Sequence, residues 1–321
     1  MIIAIDTSCY TTSVAVIGSD GILVNERRLM LRVKRGECGL RQSDAVFQHI
    51  QNLPRLVEDL NGVMPIRGVA ASIKPRPVAG SYLPVFKVGS SIGATLAHLI
   101  GVPFIETSHQ EGHLRAGLYN QSLPRGNFLA WHLSGGTTEL LLVKPTSGGF
   151  NIEKVGGSSD LQVGQFVDRI GVALGTGFPA GVFLEGLAKG SNSIESLPVV
   201  AKGLSISFSG PESAGRRLLD SGITPQELAR RVFNCISQTL VKVTLEAVKQ
   251  FQIDLVLFTG GVAANELIRT ALLQEEALQN VELIFAPKGL SGDNAVGVGL
   301  MGWDVLKRRE AEAMSKSRGD D

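Results

Sequence analysis

Apolar runs of strand length alternate with small-residue turns along most of the chain. Ile2-Ile3-Ala4-Ile5 leads through Asp6-Thr7-Ser8-Cys9-Tyr10-Thr11-Thr12 into Ser13-Val14-Ala15-Val16-Ile17. The pattern returns 126 residues later as Phe128-Leu129-Ala130-Trp131-His132-Leu133, a Ser134-Gly135-Gly136-Thr137-Thr138 turn and Glu139-Leu140-Leu141-Leu142-Val143. Each copy continues through a Gly-containing turn (Ser19-Asp20-Gly21; Ser147-Gly148-Gly149) toward a third strand. β-Branched and aliphatic runs bounded by turn residues predict strands, and their repetition predicts a duplicated supersecondary unit. Strands are also expected at 255–258 and 283–286. Between them, Thr259-Gly260-Gly261-Val262-Ala263-Ala264-Asn265 reads as a Gly-Gly turn opening a helical segment to about Leu278, an arrangement suited to an anion or a ribose. Apolar residues at Phe233, Ile236, Leu240, Val243 and Val248 predict a long amphipathic helix over 232–251.

At 321 residues the chain suggests two domains. Its 44% hydrophobic and 6% aromatic content fits an aliphatic α/β core. The net charge of +1 supplies no global field for nucleic acid, so RNA contact requires a local patch. Arg27, Arg28, Arg32, Lys34, Arg35 and Arg41, against Glu37 alone, form a candidate phosphate-contacting segment. The same segment also reads as a solvated strand and loop meeting a partner protein. Three scattered cysteines support neither a disulfide framework nor a thiolate metal site. No signal peptide or membrane-length apolar run is evident, so a cytoplasmic protein is expected. The charged stretch from Lys307 to Asp321 is expected to fray. Gly297-Val298-Gly299-Leu300-Met301-Gly302 matches the dinucleotide fingerprint literally. It follows no strand, and small residues at this spacing are read instead as close packing of a C-terminal helix.

The sharpest chemical feature is His109-Gln110-Glu111-Gly112-His113. Imidazoles four residues apart share one helix face, a spacing that can hold a transition metal. The alternative is a pair that merely caps and packs a helix start. Glu111 stands third, so the motif is not the His-Glu-x-x-His of zinc proteases.

The two matched turns resemble those of the actin, hexokinase and sugar-kinase superfamily, where such turns touch nucleotide phosphates through exposed backbone N–H groups. This predicts an α/β, two-lobed actin-like/sugar-kinase fold of duplicated RNase H-like domains. One lobe would comprise 1–108 with 294–321, and the second 109–293 with a helical insertion. The ordered set Asp6-Thr7-Ser8-Cys9, His-x-Glu-Gly-His, Leu133 to Thr138, Phe208-Ser209-Gly210, Gly260 to Asn265 and Asp293-Asn294-Ala295 resembles the universal tRNA threonylcarbamoyltransferase family, formerly labelled a glycoprotease. The resemblance covers essentially the whole chain. It implies transfer of a threonylcarbamoyl group from threonylcarbamoyl-adenylate to N6 of the tRNA adenosine beside the anticodon. It further implies one divalent metal ion, iron or zinc, held by His109, His113 and Asp293 and bridging the lobes. It places an ATP- or adenylate-type nucleotide against His132, Leu133, Ser134, Gly135, Gly136, Asp168, Gly181, Glu185 and Asn265. A same-fold protein partner or a homodimer is implied as well.

The chain departs from the family pattern on the substrate side. The usual Glu-Thr-Ser-Cys-Asp-Glu-Thr reads Asp6-Thr7-Ser8-Cys9-Tyr10-Thr11-Thr12, so Tyr10 and Thr11 replace two acids at the expected reaction centre. Ser-Gly-Gly-His-Thr-Gln becomes Ser134 to Glu139, Ser-Phe-Ser-Gly-Leu-Lys becomes Ser207 to Glu212, and a Gly-rich loop becomes Ile73-Lys74-Pro75-Arg76-Pro77-Val78. This looks like a divergent paralogue. Three functions compete: the metal-dependent transferase on tRNA, a non-catalytic nucleotide-binding partner or scaffold, and a carbamoyl-type transferase on another acceptor.

Overall fold

A computed structural model describes residues 1–8, 10–33, 40–58, 60 and 65–317. They form two compact units: Met1–Leu123, Pro145–Asn151 and Asp293–Asp321 make unit 1, and Pro124–Lys144 with Ile152–Gly292 make unit 2. The boundary expected after residue 108 falls after Leu123. His109 and His113, expected to open the second lobe, belong to the first unit.

In unit 1, β1 (Ile2–Ser8), β2 (Thr11–Ile17), β3 (Leu23–Met30), β4 (Gly68–Lys74) and β5 (Phe104–Ser108) lie in the order β3-β2-β1-β4-β5. β1 pairs antiparallel with β2 and parallel with β4, and β4 pairs parallel with β5. Helices α1 (Gln42–Glu58), α2 (Phe86–Ile100) and α3 (His109–Gly117) complete its first part.

Unit 2 is built on β6 (Phe128–Leu133), β7 (Thr138–Thr146), β8 (Gly149–Ser158), β9 (Ala201–Lys202), β10 (Ser205–Ile206), β11 (Leu255–Thr259) and β12 (Glu282–Phe285), the facing ends of β7 and β8 within Pro145–Asn151 belonging to unit 1. Their order is β12-β11-β6-β7-β8-β10-β9. β6 is antiparallel to β7 and parallel to β11, which is parallel to β12. Taking β6, β7, β8, β11 and β12 as strands one to five, the order is that of unit 1, with β10 and β9 added at one edge. The repeated sequence pattern is therefore a repeated topology. Helices α4 (Val163–Ala173), α5 (Gly181–Ala188), α6 (Ser209–Asp220), α7 (Pro225–Phe251) and α8 (Glu266–Gln274) belong to this unit. Its core gathers Trp131, Phe166, Phe208, Phe233 and Phe258, all at most 2% exposed. Helix α7 starts seven residues before its expected apolar stripe. Thr224 caps it by accepting the Glu227 N–H (3.3 Å), and Pro225 stands in its first turn.

The last helix, α9 (Val296–Ser317), returns to unit 1 and continues to Ser317 within the segment expected to fray, the rest of which lies outside the described residues. β1 and β2 are buried along their whole length, which requires cover on both faces. Strand alternation divides the work. Ile3, Ile5, Val14 and Val16 pack with Leu53 and Leu56 of α1 and Val88 of α2. Ala4 and Ile17 meet Gly299 of α9, where a side-chain carbon would lie 3.1 and 2.6 Å from them. Gly302 approaches Ala70 in the same way, at 2.9 Å. Gly297 crosses α3 so closely that an added carbon would stand 1.8 Å from the Gly112 carbonyl oxygen. The literal dinucleotide fingerprint is a packing seam.

Beneath β2, the His49 ring of α1 is fully buried. Asn52 donates to Thr12 Oγ1 (3.1 Å), and the Thr12 hydroxyl shares a hydrogen bond with His49 Nδ1 (2.8 Å). Burial pushes the His49 pKa down to about 4, despite the opposing charge of Asp6. A depressed folded value means that the unfolded chain binds the proton first. His49 should therefore cost about 3 kcal/mol of stability as pH falls from about 6.5 to 4. Denaturant midpoints across that window test this; His49→Gln should flatten the decline, and an unchanged slope would refute it.

Candidate functional site

Ser108 ends β5 and caps α3. Its hydroxyl accepts the Glu111 N–H (3.3 Å), while a Glu111 carboxylate oxygen accepts the Ser108 N–H (2.9 Å) and hydroxyl (2.7 Å). This capping box makes His109 the first helical residue and sets His113 one turn on. At the other end of the chain, Asn294 Oδ1 accepts the Val296 N–H (2.9 Å) and so caps α9. The preceding Asp293 is thereby left to face the histidines.

Three donor atoms converge. His109 Nε2 and His113 Nε2 are 3.0 Å apart, and Asp293 Oδ1 lies 3.5 and 3.2 Å from them. Donors about 2.1 Å from a common ion stand about 3.0–3.4 Å apart at right to tetrahedral angles. The set therefore fits a divalent ion, with two imidazoles and one carboxylate leaving positions open for substrate. All three residues belong to unit 1, so they do not bridge the two lobes as expected. Segment 293–321 is part of the first unit because α9 packs on β1, β2 and β4.

The electrostatics point the same way. Burial opposes charge on His109, but Asp6 and Asp293 outweigh it and hold its pKa well above the ordinary histidine value. Burial and the charge of His109 hold His113 below it. Burial would raise the Asp293 pKa, but hydrogen bonds from both rings hold it far below the usual carboxylate range. One proton on His109 and one carboxylate charge thus share a space that a cation can take.

Asp6, singled out in the sequence only as part of a motif, is fully buried here. One carboxylate oxygen, Oδ2, accepts from His109 Nδ1 (3.0 Å) and Ser8 Oγ (2.9 Å); the other accepts from Ser72 Oγ. A lone acid in an otherwise uncharged, wholly buried strand was the signal for it. Tyr10 is half-buried in the β1–β2 turn, with its carbonyl accepting the Leu31 N–H (2.7 Å), and Thr11 begins β2 buried.

The nucleotide candidates all lie in unit 2. His132 and Leu133 are buried at the end of β6. Ser134 to Gly136 form the following turn, closed by the Ser134 N–H to the Thr137 carbonyl (2.8 Å). Two glycines hold this turn. Gly164, at the start of α4, would bring a side-chain carbon within 2.5 Å of Gly135 Cα. Gly260 (φ +96°) would bring one within 2.3 Å of the Leu133 carbonyl oxygen. Two glycine-containing turns and the start of α4 therefore meet backbone to backbone, with Gly135 and Gly136 exposed. Asp168 accepts the Ala180 N–H (2.7 Å); burial raises its pKa. Gly181 opens α5. Glu185 accepts the Glu266 N–H (3.1 Å), and Asn265 Oδ1 caps α8 through the Ile268 N–H (3.0 Å).

In the basic segment, Arg27 and Arg28 lie on β3, an edge strand. Glu26, just outside the span read for charge, pairs with Arg28 at 2.7 Å. Arg32 and Arg41 are exposed, and Lys34 and Arg35 lie outside the described residues. No helix among the described residues is long and apolar enough to cross a membrane.

The fold is that of the actin-like and sugar-kinase class. The activator of 2-hydroxyisocaproyl-CoA dehydratase from Clostridium difficile superposes with a TM-score of 0.57 at 14% identity, covering 98% of this chain and 97% of that one. Full-length HypF does so at 0.56 and 15% identity, over 97% of this chain and 47% of its own length. These likenesses show the fold alone. The signature of the TsaD family, tRNA N6-adenosine threonylcarbamoyltransferase, matches residues 39–300, and the chain belongs to that family. Relatives bearing that name include one from Prochlorococcus marinus (strain MIT 9301), 28% identical over 93% of this chain and 88% of its own. Another, from Persephonella marina, is 29% identical over 95% and 90%.

Proposed function

We propose that this protein is a metal-dependent transferase that moves a threonylcarbamoyl group from threonylcarbamoyl-adenylate to N6 of the tRNA adenosine beside the anticodon. The observation that carries this reading is the convergence of His109, His113 and Asp293, in a member of this family, at spacings suited to one ion. The donor set suits iron or zinc. Such an ion, when bound, supplies Lewis-acid polarisation of a carbonyl or phosphate oxygen.

The rest falls to the chain. The exposed Gly135–Gly136 turn offers backbone N–H groups to phosphate oxygens. Asn265 commits Oδ1 to its helix cap, so its amide group is the part left to donate to a ribose. Asp168 commits one oxygen to Ala180 and offers the other. Nucleotide binding gains support from the two structural relatives, described as holding ADPNP and as nucleotide-bound. In the reaction the N6 nitrogen bonds to the carbamoyl carbon, the bond from that carbon to the adenylate phosphate oxygen breaks, AMP leaves with its electron pair, and N6 releases a proton. With no carboxylate at Tyr10 or Thr11 to take it, that proton passes to solvent water. Arg27, Arg28, Arg32 and Arg41, all exposed, are the described cations proposed to touch tRNA, and a cytoplasmic location is proposed with that role. A same-fold protein is the proposed partner.

The decisive experiment incubates metal-loaded protein with threonylcarbamoyl-adenylate and unmodified tRNA, followed by nucleoside analysis. Threonylcarbamoyl-adenosine that disappears with His109→Ala supports the proposal. Protein that binds metal and nucleotide yet yields no modified adenosine overturns it in favour of a scaffold or another acceptor.

A further inference from the structure

The first turn of unit 1 carries no acid at positions 10 and 11, yet its remaining acid is held in a specific place. We propose that Asp6 is a positioning residue for the metal centre. Its carboxylate fixes His109 in the Nδ1–H tautomer and so aims the Nε2 lone pair at the ion, while Ser8 and Ser72 hold that carboxylate in register. This rests on the metal-site reading above and adds a residue that never touches ion or substrate.

Strand geometry puts the parts together. Along β1, Asp6 and Ser8 share one face and Thr7 the other. Thr7 Oγ1 donates to the Val85 carbonyl (2.9 Å) and accepts the Gly89 N–H (3.0 Å), tying the strand to the start of α2 on the face opposite Asp6. The parallel pairing of β1 with β4 aligns Ile5 with Ala71, which brings Ser72 beside Asp6. The pairing of β4 with β5 sets Ser72 opposite Thr107, two residues before His109. Three adjacent strands thus place Asp6, Ser72 and the start of α3 in a row.

The chemistry follows from the donor count. A neutral imidazole has one N–H and one lone pair. A carboxylate oxygen can only accept, so the contact from His109 Nδ1 to Asp6 Oδ2 (3.0 Å) puts the N–H on Nδ1. The lone pair then sits on Nε2, the atom 3.0 Å from His113 Nε2 and 3.5 Å from Asp293 Oδ1. A carboxylate behind a ligating histidine both orients the ring and strengthens it as a donor. Three hydrogen bonds, from His109, Ser8 and Ser72, make a fully buried carboxylate tolerable at this position. With no exposed surface, Asp6 cannot reach a substrate.

The test strips the full-length protein with chelator and titrates it with Co2+, reading affinity by chelator competition and ligand field by visible absorption. Asp6→Asn should weaken Co2+ binding by about 10–100-fold and shift the visible bands. Asp6→Glu, which keeps a carboxylate, should recover most of the affinity, and Ser72→Ala should show a smaller loss. A merely structural role would lower thermal midpoints and leave affinity and spectrum where they are. Folded Asp6→Asn with wild-type Co2+ affinity and bands overturns the proposal. Should Asp6→Asn fail to fold, Ser72→Ala decides: unchanged affinity and spectrum overturn it, and a weaker, shifted complex supports it. Wild-type protein that takes up no Co2+ removes the metal-site reading itself, a result distinct from a metal site indifferent to Asp6.

Discussion

His113→Ala should abolish stoichiometric binding of a divalent ion, lowering affinity well beyond the roughly 10–100-fold typical of losing an outer-shell partner. The ring is 3% exposed and its Nε2 is one of only three donor atoms in the cluster. Its loss leaves one imidazole and one carboxylate. Asp293→Ala should do the same by removing the anionic donor. Metal analysis of purified variants and competition titrations check both. Retention of one ion per chain by either variant would remove these residues from the ligand set.

The proton on the apo site adds a pH signature. His109 carries its proton to well above the ordinary histidine value, and an ion must displace it. Affinity should fall about tenfold per pH unit below that point, one proton exchanging for one ion. Stability of the metal-free protein should run the other way. A raised folded pKa contributes stabilisation that is complete below the unfolded value near 6.5 and is lost as pH rises through the folded one. The metal-loaded protein should gain stability with pH over the same window, because tighter binding stabilises by mass action. Parallel trends in the two forms would contradict the assignment of the proton to His109.

Gly297→Ala should make the closest clash of any alanine put in place of a described glycine. The new carbon would meet the Gly112 carbonyl oxygen at 1.8 Å, its carbon at 2.7 Å and Ala116 N at 2.9 Å. These are backbone atoms of α3, so no rotamer change relieves the clash and the two helices must part. A cost above about 3 kcal/mol is expected, at the upper end of overpacking effects. In a chain of 321 residues that is a loss of about 4–5 °C in Tm. Gly112 lies between the two histidines, so metal affinity should fall with it. Gly186→Ala is the control: nothing lies within 4 Å of the added carbon, and on α5 it should be neutral or stabilising by up to about 1 kcal/mol. Equal Tm values for the two variants would refute the close crossing.

Much of this was legible in the residues. The hairpins at 2–17 and 128–143, the helix ending at Phe251 and the strands at 255–258 and near 283 follow from apolar periodicity and turn chemistry, which are local properties. The His109–His113 pair was legible for the same reason, since a helix start fixes its geometry. Ser108 and Glu111 carry a readable capping signature that makes this start firm. Domain assignment was not local. Nothing in residues 109–123 says that they pack with the N-terminal sheet; that depends on glycines nearly 200 positions away letting α9 approach α3. Asp293 and Asn294 show the same limit. Adjacent residues with equal capping propensity take different jobs, and only the direction in which each side chain leaves the loop separates them. The Asp6–His109 contact spans 103 residues and appears only once β1, β4 and β5 are aligned.

The His-x-Glu-Gly-His motif serves two masters. Its outer residues face the ion; Glu111 closes the helix cap and Gly112 admits the crossing helix. The two pairs therefore answer to separate evolutionary constraints. A descendant that abandoned the metal could drift at 109 and 113 while Glu111 and Gly112 stayed fixed by folding alone. A branch with Glu-Gly retained and the histidines gone would mark where the centre was discarded. In this chain both histidines remain, although the first-turn acids have been exchanged.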